Sequence, residues 1–126
     1  MSYKPEGYNS ISPYLVVDGA QKLVNLLKAV FNAEETRRYD KPDGTIGHIE
    51  LKIDDSIVML SDATEHFEAM PYMLHVYVPD VYATYNKAIE QGCEPVKAPE
   101  REGDDPDVRG MFKDVLGNLW AVGTQT

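Results

Sequence analysis

Hydrophobic positions along this chain recur at two spacings, and the spacing switches at regular points. Ser12-Pro13-Tyr14-Leu15-Val16-Val17 is a β-rich run that stops at Asp18-Gly19. Ala20, Leu23, Val24, Leu27, Val30 and Phe31 then return every three or four residues, the apolar stripe of a helix. Asp18 is placed to accept hydrogen bonds from the first free N–H groups of that helix, and Asn32 is suited to end it in the left-handed conformation. Glu35 to Asp40 is polar and fits an edge strand, and Lys41-Pro42-Asp43-Gly44 is a turn in which Pro presets φ and Gly tolerates positive φ. From Ile46 to Ile53 the period becomes two, with Ile49, Leu51 and Ile53 on one face and His48, Glu50 and Lys52 on the other. Asp54-Asp55 turns the chain into another strand, Ser56 to Ser61.

The second half repeats this order. Met73 to Val78 is a strand, Asp80 caps a helix with the stripe Val81, Tyr85, Ala88 and Ile89, and Gly92 ends it. Glu94 to Lys97 is a short strand candidate. Glu100 to Asp107 reads as a solvated loop, and Val108–Lys113 and Leu119–Thr124 complete the set. Val16-Val17-Asp18 lines up with Val78-Pro79-Asp80 at an offset of 62, and Asp55 to Leu60 with Gly117 to Val122 at the same offset. Asn32-Ala33-Glu34 matches Gly92-Cys93-Glu94 at 60. One domain of 126 residues therefore reads as two modules, 1–66 and 67–126, joined by a linker over Thr64–Pro71.

Composition narrows the function. Twenty-one acids against twelve Lys and Arg give a net charge of −9, which excludes a duplex nucleic-acid or anionic-membrane binder. The modules carry −4 and −5, and the Glu100–Asp107 segment alone carries −4. No apolar run approaches the roughly 20 residues that cross a bilayer, and Met1 to Glu6 has no signal-peptide pattern. The single cysteine, Cys93, allows no internal disulfide and fits a reducing compartment, so a cytoplasmic location is expected. Cys93 follows a helix-ending glycine and reads as a packed small residue.

The doubled strand-helix-strand-strand-strand plan resembles the glyoxalase / bleomycin-resistance / dioxygenase superfamily, the vicinal oxygen chelate proteins, and more narrowly its PhnB-like branch. The resemblance is carried by Pro13 to Ala20, His48-Ile49-Glu50-Leu51, Ser56 to Asp62, Leu74 to Asp80, and Asp114 through Gly117-Asn118 to Trp120. Asp114-Val115 stands where the family usually has Asp-Pro, and Glu102-Gly103-Asp104-Asp105 where the branch often has Trp-Gly-Asp-Arg. The resemblance implies an α+β fold of two βαβββ modules. Each is a cupped mixed sheet with a helix on one face and a cavity on the other, and a homodimer is the default assembly. Alternation then assigns the faces. Leu74, Val76 and Val78 go under the helix, so Met73, His75 and Tyr77 face the cup, as do His48 and Glu50. Trp120 and Tyr14 fall on the core parity, and Arg109 suits a surface ion pair more than an anion clamp.

Metal-dependent relatives bind one divalent ion through the first and last strands of each module. Counted from Asp18, Asp80 and Gly117-Asn118, those positions fall on Ile11, Met73, Met59 and Ala121, none of which offers a donor suited to the usual ions. The expectation is no cofactor. The alternative is a Zn, Mn, Fe or Ni ion at a shifted site of His48, Glu50 and His75, whose imidazoles and carboxylate are sufficient ligands. Without metal, His75, His48 or Glu50 is the candidate general base. Three functions follow. The first is a metal-free binder of a small molecule, with the acidic charge favouring a cation, and with Met73, His75, Tyr77, His48, Glu50, Met59, Ala121 and Arg109 as its ligand-binding candidates. The second is a metal-dependent lyase, isomerase or dioxygenase at the shifted site. The third is a non-catalytic dimeric scaffold or regulatory domain, so enzymatic activity is left open.

Overall fold

The computed structural model describes residues 3–126, which form two compact units that divide between Met70 and Pro71. In the first unit, strand β1 (Tyr14–Val17) leads into helix α1 (Ala20–Phe31), followed by β2 (Glu34–Asp40), β3 (Ile46–Ile53) and β4 (Ser56–Asp62). In the second, β5 (Met73–Tyr77), α2 (Val81–Glu90), β6 (Glu94–Arg101), β7 (Asp107–Lys113) and β8 (Leu119–Gln125) repeat the plan. The sheets are ordered β1-β4-β3-β2 and β5-β8-β7-β6, with the first strand of each parallel to its neighbour and the other pairs antiparallel. Parallel pairing is available because the intervening helix provides the crossover.

Each helix buries its stripe on one face of its sheet. Ala20, Leu23, Val24, Leu26, Leu27 and Val30 of α1 are buried, as are Ile49, Leu51, Val58 and Leu60 of β3 and β4. In the second unit Val81, Tyr85 and Ala88 are buried together with Phe112, Trp120 and Val122. The polar strand predicted before the turn is the edge strand β2, every residue of which is exposed. Two expectations about the second unit are corrected. Strand β6 runs on to Arg101, four residues beyond the predicted end, as an edge strand, the place in a sheet where proline is tolerated. The acidic segment is not wholly a solvated loop: Glu100 and Arg101 pair with Arg109 and Val108, and Asp107 opens β7 at 2% exposure.

Helix entry also departs from the sequence reading. Asp18 does not cap α1. The N-cap is Gly19, held at φ 100°, a left-handed conformation that glycine adopts without strain. The capping acceptor comes instead from the end of β4: Asp62 Oδ1 accepts from Ala20 N at 2.9 Å and Gly19 N at 3.3 Å, while its Oδ2 accepts from Ile46 N at 2.7 Å. Asn32 does close the helix at φ 56°, and Asp80 caps α2 through Tyr82 N and Ala83 N.

Buried Asp114 plays a comparable part in the second unit. It accepts from Trp120 Nε1 at 2.8 Å, the Tyr72 hydroxyl at 2.5 Å, Leu116 N at 2.9 Å and Asn118 N at 3.0 Å, which fixes the turn before β8. Burial and the facing carboxylate push the Tyr72 phenol well above its ordinary range.

The shifted cap has a measurable consequence. Asp62→Ala leaves three backbone N–H groups without their acceptor and is expected to cost about 2–3 kcal/mol in urea unfolding. Asp18→Ala is expected to stay within about 0.5 kcal/mol. Equal losses would restore Asp18 as the cap.

Candidate functional site

On the helix-free face of the first sheet, Glu50 is a buried carboxylate, 3% exposed, inside a shell of donors. The Tyr8 hydroxyl donates to its Oε1, and the same hydroxyl lies 3.1 Å from Thr36 Oγ1. Arg37 Nε is 3.7 Å from Oε1, and its guanidinium lies over the Tyr8 ring, 5.9 Å from the centroid. His48 Nε2 is 2.7 Å from Oε2, and His48 Nδ1 is 3.2 Å from the Tyr14 hydroxyl. Burial by itself would raise the Glu50 pKa. The Tyr8 and His48 hydrogen bonds and the Arg37 charge more than offset it, leaving the carboxyl below its ordinary value of 4.5.

The second sheet carries a different cluster. Arg109 donates through Nε to Asp105 Oδ2 at 3.0 Å, through Nη2 to Asp107 Oδ2 at 2.6 Å and through Nη1 to His75 Nε2 at 2.8 Å. A guanidinium only donates, so His75 accepts at Nε2 and carries its proton on Nδ1. The Tyr77 hydroxyl donates to Asp107 Oδ2 at 2.6 Å, and its ring stands edge-on to His75 with centroids 4.7 Å apart. Gly123 makes the meeting possible, since a Cβ there would lie 3.2 Å from His75 Nε2 and 3.7 Å from Arg109 Cγ. Asp107 Oδ1 is buried and has no hydrogen-bond partner among the described residues. Partial desolvation and the Arg109 charge hold His75 below its ordinary 6.5, against the opposing pull of Asp107.

Register settles which predicted residues share a face. Glu50 pairs with Met59, and Met59 with Tyr14, so all three lie on the helix-free face of the first sheet with His48. Met73, His75 and Tyr77 lie on the helix-free face of the second with Ala121, whereas Trp120 is buried on the helix side. The expected core position of Tyr14 is therefore wrong: the residue is 45% exposed and bonded to His48. The cause is a one-residue difference between the repeats. Met59 and Ala121 correspond at an offset of 62, yet their partners are Tyr14 and His75, an offset of 61. The counterpart of Met73 is accordingly Ser12, and Ile11 lies before β1, 87% exposed.

Sequence reasoning also passed over Tyr8, Arg37 and Asp107. Tyr8 belongs to an irregular segment with no periodicity, and the partner roles of the other two depend on cross-strand pairing. Cys93 is buried, and desolvation pushes its thiol up to about 11, which suits a packing role. His66 is exposed.

A divalent-ion site does not fit these donors. Ser12, Met59, Met73 and Ala121 occupy the family's ligand positions, both ring nitrogens of His48 are engaged, and His75 Nε2 is bound to Arg109. Among the described residues no group of three or more His, Cys, Asp or Glu is placed to hold a metal.

Two βαβββ units, each presenting polar side chains on the sheet face its helix leaves free, define a glyoxalase-like α+β protein. The model of the Glyoxalase/Bleomycin resistance protein/Dioxygenase superfamily matches residues 8–122, and the chain belongs to that superfamily. An uncharacterized protein of Mycobacterium bovis is 31% identical over 127 residues, covering 90% of this chain and 82% of that protein. Among solved structures, TioX from Micromonospora sp. ML1 superposes with a TM-score of 0.74 at 21% identity, covering 94% of this chain and 97% of TioX. The fosfomycin resistance protein FosX from Listeria monocytogenes, complexed with Mn(II) and sulfate, gives 0.72 at 17%, covering 94% and 90%. A PhnB protein from Bacillus cereus gives 0.70 at 18%, covering 92% and 99%. At these identities the three structures show the shared fold.

The shifted pKa values set the direction of two pH effects. His75 is depressed in the folded state, so the unfolded chain takes up its proton first, and stability falls as pH drops below about 6.5 toward the folded value. Arg109→Gln is expected to raise the His75 titration midpoint in NMR, and an unchanged midpoint would remove the Arg109 contribution. Glu50 stabilises the fold above about 4.5, and that contribution disappears as pH falls through its lowered value. Glu50→Gln is therefore expected to flatten the acid limb of thermal unfolding.

Proposed function

We propose that this chain is a metal-free small-molecule-binding protein of its superfamily, whose ligand sits against a helix-free sheet face. One observation carries the reading. The histidines available to a shifted metal site are held by the protein's own side chains, His48 at both nitrogens and His75 by a guanidinium. A metal would have to displace Arg109 or Tyr14, and imidazole binds metal only through a free lone pair. The candidate contacts are Met59, His48, Glu50 and Tyr14 on the face of the first sheet, and, taken separately, Met73, His75, Tyr77, Ala121 and Arg109 on the face of the second.

A cationic or aromatic ligand is favoured by the net charge of −9 and by the ring faces of Tyr14 and Tyr77. The acidic segment contributes less than its composition implies, because Asp105 and Asp107 are paired with Arg109, and Glu100 and Glu102 with Lys97. We assign the protein to the cytoplasm on its single buried thiol, and to a homodimer on family membership. No helix is long and apolar enough to cross a membrane among the described residues.

Metal analysis of protein purified without chelator is expected to find no stoichiometric Zn, Mn, Fe or Ni. One ion per chain, lost in His75→Ala, would instead support a metal-dependent lyase, isomerase or dioxygenase. In a thermal-shift panel of cationic and aromatic compounds, a ligand at one hundred times its Kd adds about 2.7 kcal/mol, a rise of several degrees. A panel without any shift, on a protein that elutes as a dimer, would leave the scaffold function standing.

A further inference from the structure

We propose that Tyr14, His48 and Glu50 form a base-activated phenol: His48 takes up the Tyr14 proton, Glu50 orients and balances His48, and the phenol oxygen acts as nucleophile and proton acceptor toward a ligand. The proposal rests on the reading that the helix-free face of the first sheet is the ligand face. It adds a reactive group there that a simple binder does not need.

The proton positions follow from one end of the chain of contacts. Glu50 is buried with its carboxyl below the ordinary range, so at neutral pH it is ionised and can only accept. The 2.7 Å contact to its Oε2 therefore places a proton on His48 Nε2. A neutral imidazole carries one N–H, which leaves a lone pair on Nδ1 facing the Tyr14 hydroxyl at 3.2 Å. Tyr14 donates to His48, and its oxygen keeps lone pairs on the open face of a residue that is 45% exposed. A hydroxyl, an imidazole and a buried carboxylate in this order are the parts needed to activate an oxygen nucleophile. The matching ligand presents an N–H or O–H donor, or an electrophilic centre, to that oxygen.

The second unit supplies an internal contrast. His75 and Arg109 stand at the positions equivalent to Tyr14 and His48 and also touch, at 2.8 Å. The position equivalent to Glu50 is Met111, which pairs with Ala121 as Glu50 pairs with Met59. The cross-strand contact therefore recurs in both units, whereas the carboxylate that gives it direction belongs to the first.

Phenylmethanesulfonyl fluoride tests the assignment without any knowledge of the natural ligand. Attack forms the Tyr14 O–S bond and breaks the S–F bond; fluoride leaves, and the phenol proton passes to His48 Nδ1 and then to water. Peptide mass mapping is expected to show Tyr14 modified at least about tenfold faster than Tyr39 and Tyr82, which are 59% and 55% exposed but lack such a relay. In Glu50→Gln the amide can donate to Nε2, moving the ring proton to Nδ1, and the Tyr14 rate is expected to fall to that of Tyr82. His48→Asn, at a half-buried position, is expected to do the same and serves if the Glu50 variant fails to fold. Histidine ¹⁵N NMR of the unmodified protein is expected to show Nε2 protonated and Nδ1 bare. A Tyr14 rate within about threefold of Tyr39, a rate unchanged in His48→Asn, or a protonated Nδ1 would each overturn the proposal. The probe needs no ligand pocket, so a silent thermal-shift panel with fast Tyr14 labelling would fault the binding proposal and leave this one intact.

Discussion

A carboxylate removed from water has to be matched by donors, and Glu50 is the residue on which the first unit's polar face depends. Desolvation of a lone charge costs several kcal/mol even after relaxation, so the fold brings Tyr8 from the N-terminal segment, Arg37 from the edge strand and His48 from two residues along the same strand. Through His48 the requirement extends to Tyr14, two strands away in the sheet. The face opposite α1 is therefore an organised network in which each polar group has a direction.

The second unit meets the same constraint with a cation at the centre. Arg109 joins Asp105, Asp107 and His75, and Tyr77 completes the ring around Asp107. The chemical consequence differs. Glu50 commits the proton of His48 to Nε2, whereas Arg109 makes Nε2 of His75 an acceptor. The two units thus hold their imidazoles at non-equivalent positions and in opposite tautomers.

Much of the fold was legible because its signals are local. The helices α1 and α2 were marked by spacings of three and four, and β3 by an alternation that separated Ile49, Leu51 and Ile53 from His48 and Glu50. Asn32 and Asp80 act within their own turns and were read correctly. Strand β6 was shortened because the acidic segment from Glu100 read as a solvated loop, although its first two residues continue an edge strand. The acidic run hid Asp107, since composition does not show which of five acids will be folded under an arginine.

What the sequence determined by itself was the repeated βαβββ order, the faces of the alternating strands and the superfamily to which they lead. Each depends only on residues near one another in the chain. Tertiary structure decided the position of Tyr14, and with it the character of the site. That position follows from the parallel pairing of Tyr14 with Met59, which sets β1 one residue away from the place its repeat implies. In a pleated strand a shift of one residue exchanges the two faces. Strand pairing between distant residues therefore turned an expected core tyrosine into the exposed end of the Tyr14–His48–Glu50 chain.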